Sequence, residues 1–551
     1  MIVTCIVLLI VSAFYSSAQT TYVWTNGAGN AGSGNWQDAN AWSNAGAWTS
    51  WADAGVPPHN IARFSATNAS YTVTNNGTVI VGGLDFVKGP ATLRGGTIQF
   101  GNNVTNKNNS SQEAKIYSVL SADPGVDVTF GVGNQHWSIY TNVNIPGKII
   151  IDFGNVSYQF FLQADNVFTN TGDSIILQRA RLDCRSASGQ NLTNRTVVLG
   201  GGVIWVNTGT LELGDVRFDS LYTAGGTLSG NNKQINVRGR LIGNATNAVL
   251  SVSGANVDLY NPNVYTGGLA LNIATAYSVT LLATNALPLN TVVINNGYLR
   301  LGTGSVSVVQ ELAGLAGTNG LVIGNASSVS TLIIVNTNID YVYSGILGGG
   351  GTVSNNLALV KKGAASMTLS GINTYSGGTT ISNGVLKLGS SGSIASSAVI
   401  RVESPGVFDV SALAGAYTVV SNQVLAGVGT VTGVVNVAEG AILVPGGTNA
   451  IGILTMASSV TNNGVLAVDL NEGGSGDLLK VNGDLVLGPS AALNATGSFG
   501  AGRDYIIAQT TNGVVSGQFA VHNLTNSWQV VYQAQSVIIK GPAIGTVIRV
   551  R

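Results

Sequence analysis

The stretch that decides the fold runs from Leu369 to Gly389 and reads LSGINTYSGGTTISNGVLKLG. Short β-rich runs alternate in it with Gly-Gly and Asn-Gly pairs, and similar text recurs at Tyr71–Gly83 and Thr291–Gly302. Val, Ile, Thr and Tyr favour strands, whereas Asn-Gly supplies the positive φ angle of a tight turn at little cost. The pattern therefore predicts an all-β chain made of many short strands.

Such strands fit either the hairpins of a sandwich or propeller, or the coils of a β-solenoid. The pattern continues over most of the 551 residues without a helical break. Its unit is short, roughly 20 to 25 residues, which suits one solenoid coil better than a four-stranded propeller blade. Pro is rare and Val, Ile and Leu are abundant, as expected for strands that are paired on both sides. We therefore predict a parallel β-solenoid whose open ends need caps.

Composition limits the classes of partner. The net charge is zero and only 9% of the residues are charged. Nucleic-acid binding needs a basic surface, and an anionic membrane surface attracts a Lys/Arg cluster, so neither partner is expected. A neutral surface of Asn, Ser and Thr is compatible with self-association, with extracellular polysaccharide or other cell-surface components, or with simple solvation. The oligomeric state stays open.

From Tyr341 onward the sequence resembles the passenger-associated strand repeat of bacterial autotransporters, also called the autotransporter-associated beta strand repeat. The resemblance rests on Leu369–Gly389 and on Leu359–Gly363, which reads LVKKG, with a weaker copy at Asn263–Leu269. It implies a right-handed parallel β-helix that is displayed or released outside the cell. Diffuse similarity to such passengers extends to the closing stretch Gly446–Gly541.

In that family a membrane barrel of a dozen or so amphipathic strands follows the passenger. We expect this protein to lack the C-terminal membrane barrel, because the sequence reaches only Arg551. It also shows no terminal apolar sorting helix followed by a basic tail. The means of retention at a surface and the secretion route beyond the inner membrane are therefore left open.

Residues 1–18 resemble an export signal. The apolar run Met1–Ile10 is followed by small residues at Ser16 and Ala18, which fit cleavage before Gln19. No Lys or Arg precedes the apolar run, so either the signal is unusual or the start codon is misassigned. No later stretch offers about 20 apolar residues, so we expect a secreted or cell-surface protein without an integral membrane segment.

Five tryptophans lie close together near the N-terminus: Trp24, Trp36, Trp42, Trp48 and Trp51. Exposed rings of this kind could form a platform on which sugars stack. The alternative, which we favour, is an aromatic cap over the first coil. The predicted segments are the signal peptide (1–18), the N-terminal cap and first coils (19–100), a divergent solenoid (101–340), the repeat-bearing solenoid (341–450) and closing coils (451–551).

Catalytic signatures are scarce. The best acidic candidates are Asp469, Glu472, Asp477 and Asp484, which we expect at turn or surface positions. The three His residues and a lone mature Cys184 give no metal spacing, so no metal, cofactor or catalytic residue is predicted. Three hypotheses remain. They are a structural or adhesive solenoid, which we favour, a glycan-binding module using the tryptophans, and a polysaccharide lyase or hydrolase built on a β-helix.

Overall fold

The structure is a computed structural model, in which side chains and backbone are described for most of the chain. The predicted signal peptide, residues 1–18, lies outside the described residues. The described residues are 19–24, 34–38, 41–44, 47–49, 51, 59–65, 70–110, 112–131, 133, 135–168, 170–221, 225–263, 265, 267–352, 354–447, 450–500, 502–525 and 527–542.

The chain divides into two compact units, Met1–Gly214 and Asp215–Arg551. This division does not test the five predicted segments, which stay a prediction. The strands of the first unit are β1 Thr21–Trp24, β2 Gly34–Asn35, β3 Trp42–Asn44, β4 Ala47–Thr49, β5 Ile61–Phe64, β6 Tyr71–Thr74, β7 Thr78–Val81, β8 Gly83–Phe86, β9 Ala91–Phe100, β10 Val104–Asn108, β11 Ala114–Ala122, β12 Val128–Gly131, β13 Trp137–Ile139, β14 Val143–Asn144, β15 Ile149–Asp152, β16 Gln159–Leu162, β17 Ser174–Gln178, β18 Arg181–Cys184, β19 Gln190–Leu192, β20 Thr196–Val206 and β21 Thr210–Leu213.

The second unit contains the remaining strands of the described chain. They are β22 Val216–Phe218, β23 Gly225–Val237, β24 Leu241–Gly243, β25 Ala248–Leu259, β26 Leu269–Ile273, β27 Ser278–Leu281, β28 Thr291–Asn295, β29 Tyr298–Leu301, β30 Val309–Leu312, β31 Gly314–Ala316, β32 Leu321–Ile323, β33 Ser330–Ile334, β34 Tyr341–Tyr343, β35 Ile346–Leu347, β36 Leu357–Lys361, β37 Ser366–Leu369, β38 Thr379–Ile381, β39 Val385–Leu388, β40 Val399–Val402, β41 Val407–Asp409, β42 Tyr417–Val419, β43 Val424–Gly427, β44 Thr430–Thr432, β45 Val435–Val437, β46 Ile442–Pro445, β47 Ile453–Met456, β48 Val460–Asn462, β49 Val465–Leu470, β50 Leu478–Val481, β51 Leu485–Leu487, β52 Ala492–Gly497, β53 Asp504–Thr510, β54 Val515–Gly517, β55 Val521–His522, β56 Gln529–Gln533 and β57 Ser536–Lys540.

In the first unit, each strand of the main ladders pairs in parallel with a strand of the next coil rather than with its neighbour in sequence. One ladder runs β5–β8–β10–β12–β15–β17–β20, and a second runs β9–β11–β13–β16–β18–β20. The long strand β20 joins both ladders. Parallel pairing between coils is the pattern of a solenoid, because hairpins would give antiparallel pairs.

The second unit repeats this pattern, and its later part has three sheets. Ten strands follow the order β30-β33-β36-β38-β40-β43-β46-β49-β52-β55, and five follow β42-β45-β48-β51-β54. A third sheet follows β34-β37-β39-β41-β44-β47-β50-β53 and ends on β57 and β56.

Coil length varies along the second unit. Leu425 lies beside Leu443 on the next coil, whereas Leu493 lies beside His522, so the second of these coils is much the longer. The expected unit of roughly 20 to 25 residues is therefore the middle of a wider range.

Alternation along each strand places one set of side chains inside the coil. Ile400, Leu425, Leu443, Leu466 and Leu493 lie side by side on successive strands, and each is at most 2% exposed. In such a column each apolar side chain packs against an apolar side chain of the next coil. Each coil therefore completes the apolar core of its neighbours. Truncating one buried leucine of this kind to Ala costs about 2 to 5 kcal/mol.

The pairing changes direction near both ends of the described chain. Near the N-terminus β3 pairs antiparallel with β1 and β4, and near the C-terminus β57 pairs antiparallel with β53 and β56. The described residues contain no helix, and so none that could cross a bilayer. The predicted all-β parallel solenoid with an N-terminal aromatic cluster is confirmed.

Candidate functional site

The N-terminal tryptophans form one packed aromatic cluster. The Trp42 ring lies 5.2 Å from Trp24, 5.0 Å from Trp36, 4.9 Å from Trp51 and 5.6 Å from Phe64, all between centroids and all tilted or edge-on. These are the preferred distances of packed aromatic rings. The Trp42 indole N–H also donates to the Trp36 carbonyl, at 2.9 Å. The cluster continues inward, because Phe64 stacks on Phe86 at 4.9 Å.

Burial decides what these rings can contact. Trp24, Trp36 and Trp42 are at most 1% exposed, and Trp51 is partly exposed. Rings covered on both faces have no surface left for a sugar, so the three buried indoles act as a core plug. The Trp48 side chain lies outside the described residues. Glycan binding through the five tryptophans stays a prediction. Among the tryptophan side chains of this cluster that the structure describes, only that of Trp51 is partly exposed.

The repeat sequence around Leu369–Gly389 lies in two successive coils, because β36 pairs with β38 and β37 pairs with β39. Its inward side chains Leu359, Met367, Leu369, Ile381 and Leu386 are at most 1% exposed. These side chains fill the interior, whereas the residues between them face outward. The Gly and Asn residues of the motif fall between strands, as the sequence predicts.

Asn373 of the motif is buried and connects three coils. Its Oδ1 accepts from the Leu347 N–H at 2.8 Å, and its Nδ2 donates to the Ser393 carbonyl at 3.0 Å and the Gly371 carbonyl at 2.9 Å. Leu347 lies 26 residues before Asn373 and Ser393 lies 20 residues after it. One amide side chain therefore bonds to the coil before its own and to the coil after it.

Tyr375 of the same motif begins a buried hydroxyl chain. Its hydroxyl lies 2.6 Å from Thr379 Oγ1, which lies 2.9 Å from Ser397 Oγ in the next coil. Gln423, one coil further, donates to the Ser397 carbonyl at 2.8 Å. Buried hydroxyls are costly unless they are hydrogen-bonded, and here each one has a partner. Burial raises the pKa of Tyr375 well above its usual value, so its hydroxyl stays protonated.

Lys361 occupies an inward position in the same coil and is fully buried. Its Nζ donates to the backbone carbonyls of Gly363 and Asn383, the latter at 3.3 Å. Burial lowers the Lys361 pKa from 10.5 to about 8, and the charge of Asp340 partly opposes that shift. The amine therefore holds two turns together from inside the coil.

A charged cluster on the outer face of the first unit was not foreseen from the sequence. Asp183 is fully buried there between Arg181, whose Nη2 lies 2.8 Å from Oδ2, and Arg185, whose Nε lies 3.4 Å from Oδ1. The guanidinium of Arg181 lies 4.0 Å above the Trp205 ring, and that of Arg185 lies 3.7 Å above the Phe161 ring. Cation–π contacts and ion pairs thus pair these charges within the cluster, although Asp183 Oδ1 and Arg185 Nε form no hydrogen bond to a described residue.

Register explains why the cluster forms. Phe161 lies beside Asp183 on the next strand, and Asp183 lies beside Trp205 on the one after. Each of these neighbours is one coil away in sequence. The only signal that could have revealed them is this spacing, and it becomes visible only when the coil length is known.

His136 borders this cluster without forming a catalytic pair. Its Nδ1 accepts from the Gln159 backbone N–H at 3.0 Å, and its ring lies 5.3 Å from Phe161. Burial is the main cause that lowers the His136 pKa, with Arg185 acting in the same direction and Glu113 opposing it. The imidazole is therefore neutral near pH 7, and it serves as a hydrogen-bond acceptor for the backbone.

The acidic candidates bind backbone groups. Asp477 is 1% exposed, and its two oxygens accept from the backbone N–H groups of Gly452 and Asp469, at 2.8 and 2.9 Å. Burial raises the Asp477 pKa, although both hydrogen bonds oppose that shift. Asp484 likewise accepts from the Val514 N–H at 2.9 Å. These carboxylates connect coils. Glu472 and Asp484 are exposed, as expected, but Asp477 is buried and Asp469 lies within β49, so the expected turn or surface position is wrong for Asp477.

The described residues were also compared with the requirements of a metal site and of a reactive thiol. No group of three His, Cys, Asp or Glu side chains there could hold a metal ion. Cys184 is buried, and burial raises the pKa of its thiol well above its ordinary value. A buried neutral thiol is a weak nucleophile, so Cys184 acts as a small core residue.

One segment of the second unit matches a known family of repeats. Residues 359–388 match the family model described as the passenger-associated-transport-repeat. This match covers most of strands β36 to β39, including Asn373, Tyr375 and Lys361, and it confirms the predicted passenger repeat. The comparison with curated proteins gives no match.

Proposed function

We propose that this protein is an exported, non-enzymatic β-solenoid that has a structural and adhesive role at the cell surface or in the extracellular medium. The observation that carries the proposal is the passenger repeat at residues 359–388, set among the parallel coils of the second unit. Passenger repeats belong to proteins that are displayed or released outside the cell, which supports export.

The interior of the coils supports a structural role. The polar side chains that most often serve catalysis are used here to join coils, as Asn373, Lys361 and Asp477 illustrate. A solenoid of this kind gains stability from nearest-neighbour contacts along its axis. It needs no disulfide, and the one described cysteine, Cys184, is free.

The enzymatic alternative would need two carboxylates on one cleft for hydrolysis, or a carboxylate with a basic group for elimination. Asp183 carries two arginines but is fully buried, so it cannot reach a substrate. Asp477 is buried as well. We therefore favour the non-enzymatic function over a lyase or hydrolase.

Export can be tested by fractionating expressing cells and sequencing the N-terminus of the recovered protein. The full chain is expected in the medium or the envelope, with a mature N-terminus at Gln19. The matched variant lacks residues 2–18 and is expected to remain in the cytoplasm. Recovery of the full chain as an uncleaved cytoplasmic protein, at the same level as that variant, would contradict the export proposal.

A further inference from the structure

A polar cleft of about 480 Å³ lies on the outer surface of the second unit. Its walls come from successive coils, because outward residues of β23, β25, β27 and β29 line it. Its volume falls in the range of about 300 to 1,000 Å³ that is usual for small-ligand sites. The passenger repeat at 359–388 contributes nothing to its lining.

One column of the cleft presents an acid, a hydroxyl and a guanidinium on three consecutive strands. Asp258 lies beside Thr280, and Thr280 lies beside Arg300. Strands in this direction are about 4.8 Å apart, so the three groups form a short row. No side-chain hydrogen bond or ion pair joins Asp258 to any residue that the structure describes. Arg300 Nε is buried and also has no hydrogen-bond partner among those residues.

The neighbouring column adds amide and hydroxyl groups. Asn256 Oδ1 accepts from the Ser278 N–H at 3.1 Å and from its hydroxyl at 2.9 Å, which leaves the Asn256 amide N–H groups unused among the described residues. Tyr260 stands at the edge of the cleft, and the Arg238 guanidinium lies 3.8 Å from the centroid of its ring. The cleft therefore combines donors and acceptors with an aromatic wall.

We propose that this cleft binds an uncharged saccharide of an extracellular polysaccharide. Sugar hydroxyls each donate and accept, so they match a row that alternates an acceptor, a hydroxyl and a donor. The lining residues carry one carboxylate and one guanidinium, while Arg238 lies against the Tyr260 ring at the edge, so an anion would meet a carboxylate as well as the basic groups. Buried and unsatisfied polar groups such as Arg300 Nε are costly, and a bound hydroxyl would satisfy them.

The cleft is suited to binding rather than to hydrolysis. Glycoside hydrolysis ordinarily requires a pair of carboxylates, and Asp258 is the only carboxylate among the described residues that line it. Asp258 differs in this respect from Asp183 in the charged cluster of the first unit, which is buried and paired with two arginines. The inference rests on the proposed adhesive function and supplies it with a ligand class and a site.

The test is affinity electrophoresis of the purified full chain in native gels that contain one soluble polysaccharide each. The neutral probes are mannan, mixed-linkage glucan, galactan and xylan, and the anionic probes are alginate and polygalacturonate. At least one neutral probe should retard the protein, and Asp258→Ala and Arg300→Met should each weaken that retardation at least tenfold. Matched controls are Asp409→Ala and Arg401→Met, which remove outward charges elsewhere in the same unit.

Three results would overturn the proposal. They are no retardation by any neutral probe, equal retardation of the wild type and both cleft variants, and loss of retardation only in Trp51→Ala, which would assign binding to the N-terminal cluster. Retardation by the anionic probes alone is an instance of the first of these results. Circular dichroism of each variant establishes that it is folded. Because the purified protein is used, failure here is distinct from a failure of export.

Discussion

Replacing Asn373 by Ala removes the side chain that bonds to the coils on both sides of the passenger repeat. Asn373 and Leu347 are at most 2% exposed, and the Leu347 N–H has Asn373 Oδ1 as its acceptor at 2.8 Å. The substitution leaves that N–H buried without a partner. The other two bonds matter less, because the Gly371 and Ser393 carbonyls keep backbone donors at 3.1 and 2.9 Å.

A buried donor without an acceptor costs about 1 to 3 kcal/mol, and the loss of weaker bonds adds a fraction of that. We therefore expect Asn373→Ala to lower the free energy of unfolding by about 2 to 3 kcal/mol. Asn373→Asp is a sharper variant. It keeps an acceptor for Leu347, but it directs a second carboxylate oxygen at the carbonyls of Gly371 and Ser393. Its stability should therefore recover as the pH falls and the carboxyl becomes protonated.

The measurement is equilibrium urea unfolding by far-ultraviolet circular dichroism, together with hydrogen exchange of the peptide that contains Leu347. The matched control is Ile372→Ala at the adjacent position, where the side chain is 66% exposed. The control should change stability by less than about 0.5 kcal/mol. If Asn373→Ala were no more destabilising than this control, and Leu347 kept its protection, the reasoning about a bridging amide would be refuted.

Two further predictions concern the second unit. Gly317 has φ +133°, and a Cβ there would overlap the Asn295 carbonyl oxygen, so Gly317→Ala should lower the melting temperature and cost at least about 2 kcal/mol in unfolding free energy. Gly415→Ala, where a Cβ meets nothing within 4 Å, should have little effect, and equal losses in both variants would contradict the steric argument. Burial lowers the Lys361 pKa from 10.5 to about 8, so between those two pH values the unfolded chain holds a proton that the folded chain has released. The unfolding free energy of the wild type relative to Lys361→Met should therefore rise by about 1 to 3 kcal/mol across that window in urea titrations, and a flat difference would refute a depressed pKa.

The sequence predicted the strands and turns well because both depend on local chemistry. Alternating Val, Ile and Leu identify inward positions, and Gly marks the turns between coils. The Asn-Asn-Gly sequences were interpreted only as turns, and this interpretation is incomplete. Their first residues Asn75, Asn295 and Asn462 are buried, and each accepts from the N–H two residues later at 3.0 to 3.2 Å.

The side chains that meet on the outer faces of the coils could not be predicted, because their positions depend on the register between coils. Coils of different length place different sequence positions side by side, and the sequence does not mark where each coil closes. The alignment of Phe161, Asp183 and Trp205 arises in this way. The row of Asp258, Thr280 and Arg300 has the same origin. The tryptophans were conspicuous in sequence because they are clustered locally, yet three of them are buried.

Buried asparagine gives this fold a source of order that apolar stacking alone does not provide. In the leucine columns a one-residue slip would turn the apolar side chains outward, but a shift of two residues can still bring one apolar side chain beside another. A buried amide is less tolerant, because a shifted register would leave its own polar groups and a backbone partner unsatisfied. Bonds of this kind recur through both units, each from an Asn Nδ2 to a carbonyl of the following coil: Asn75 to Thr97, Asn106 to Thr129, Asn295 to Leu321, Asn336 to Ser366 and Asn373 to Ser393. Asparagine in this chain therefore sets the register of the coils as well as forming their turns, and that register in turn determines which side chains meet on the outer faces.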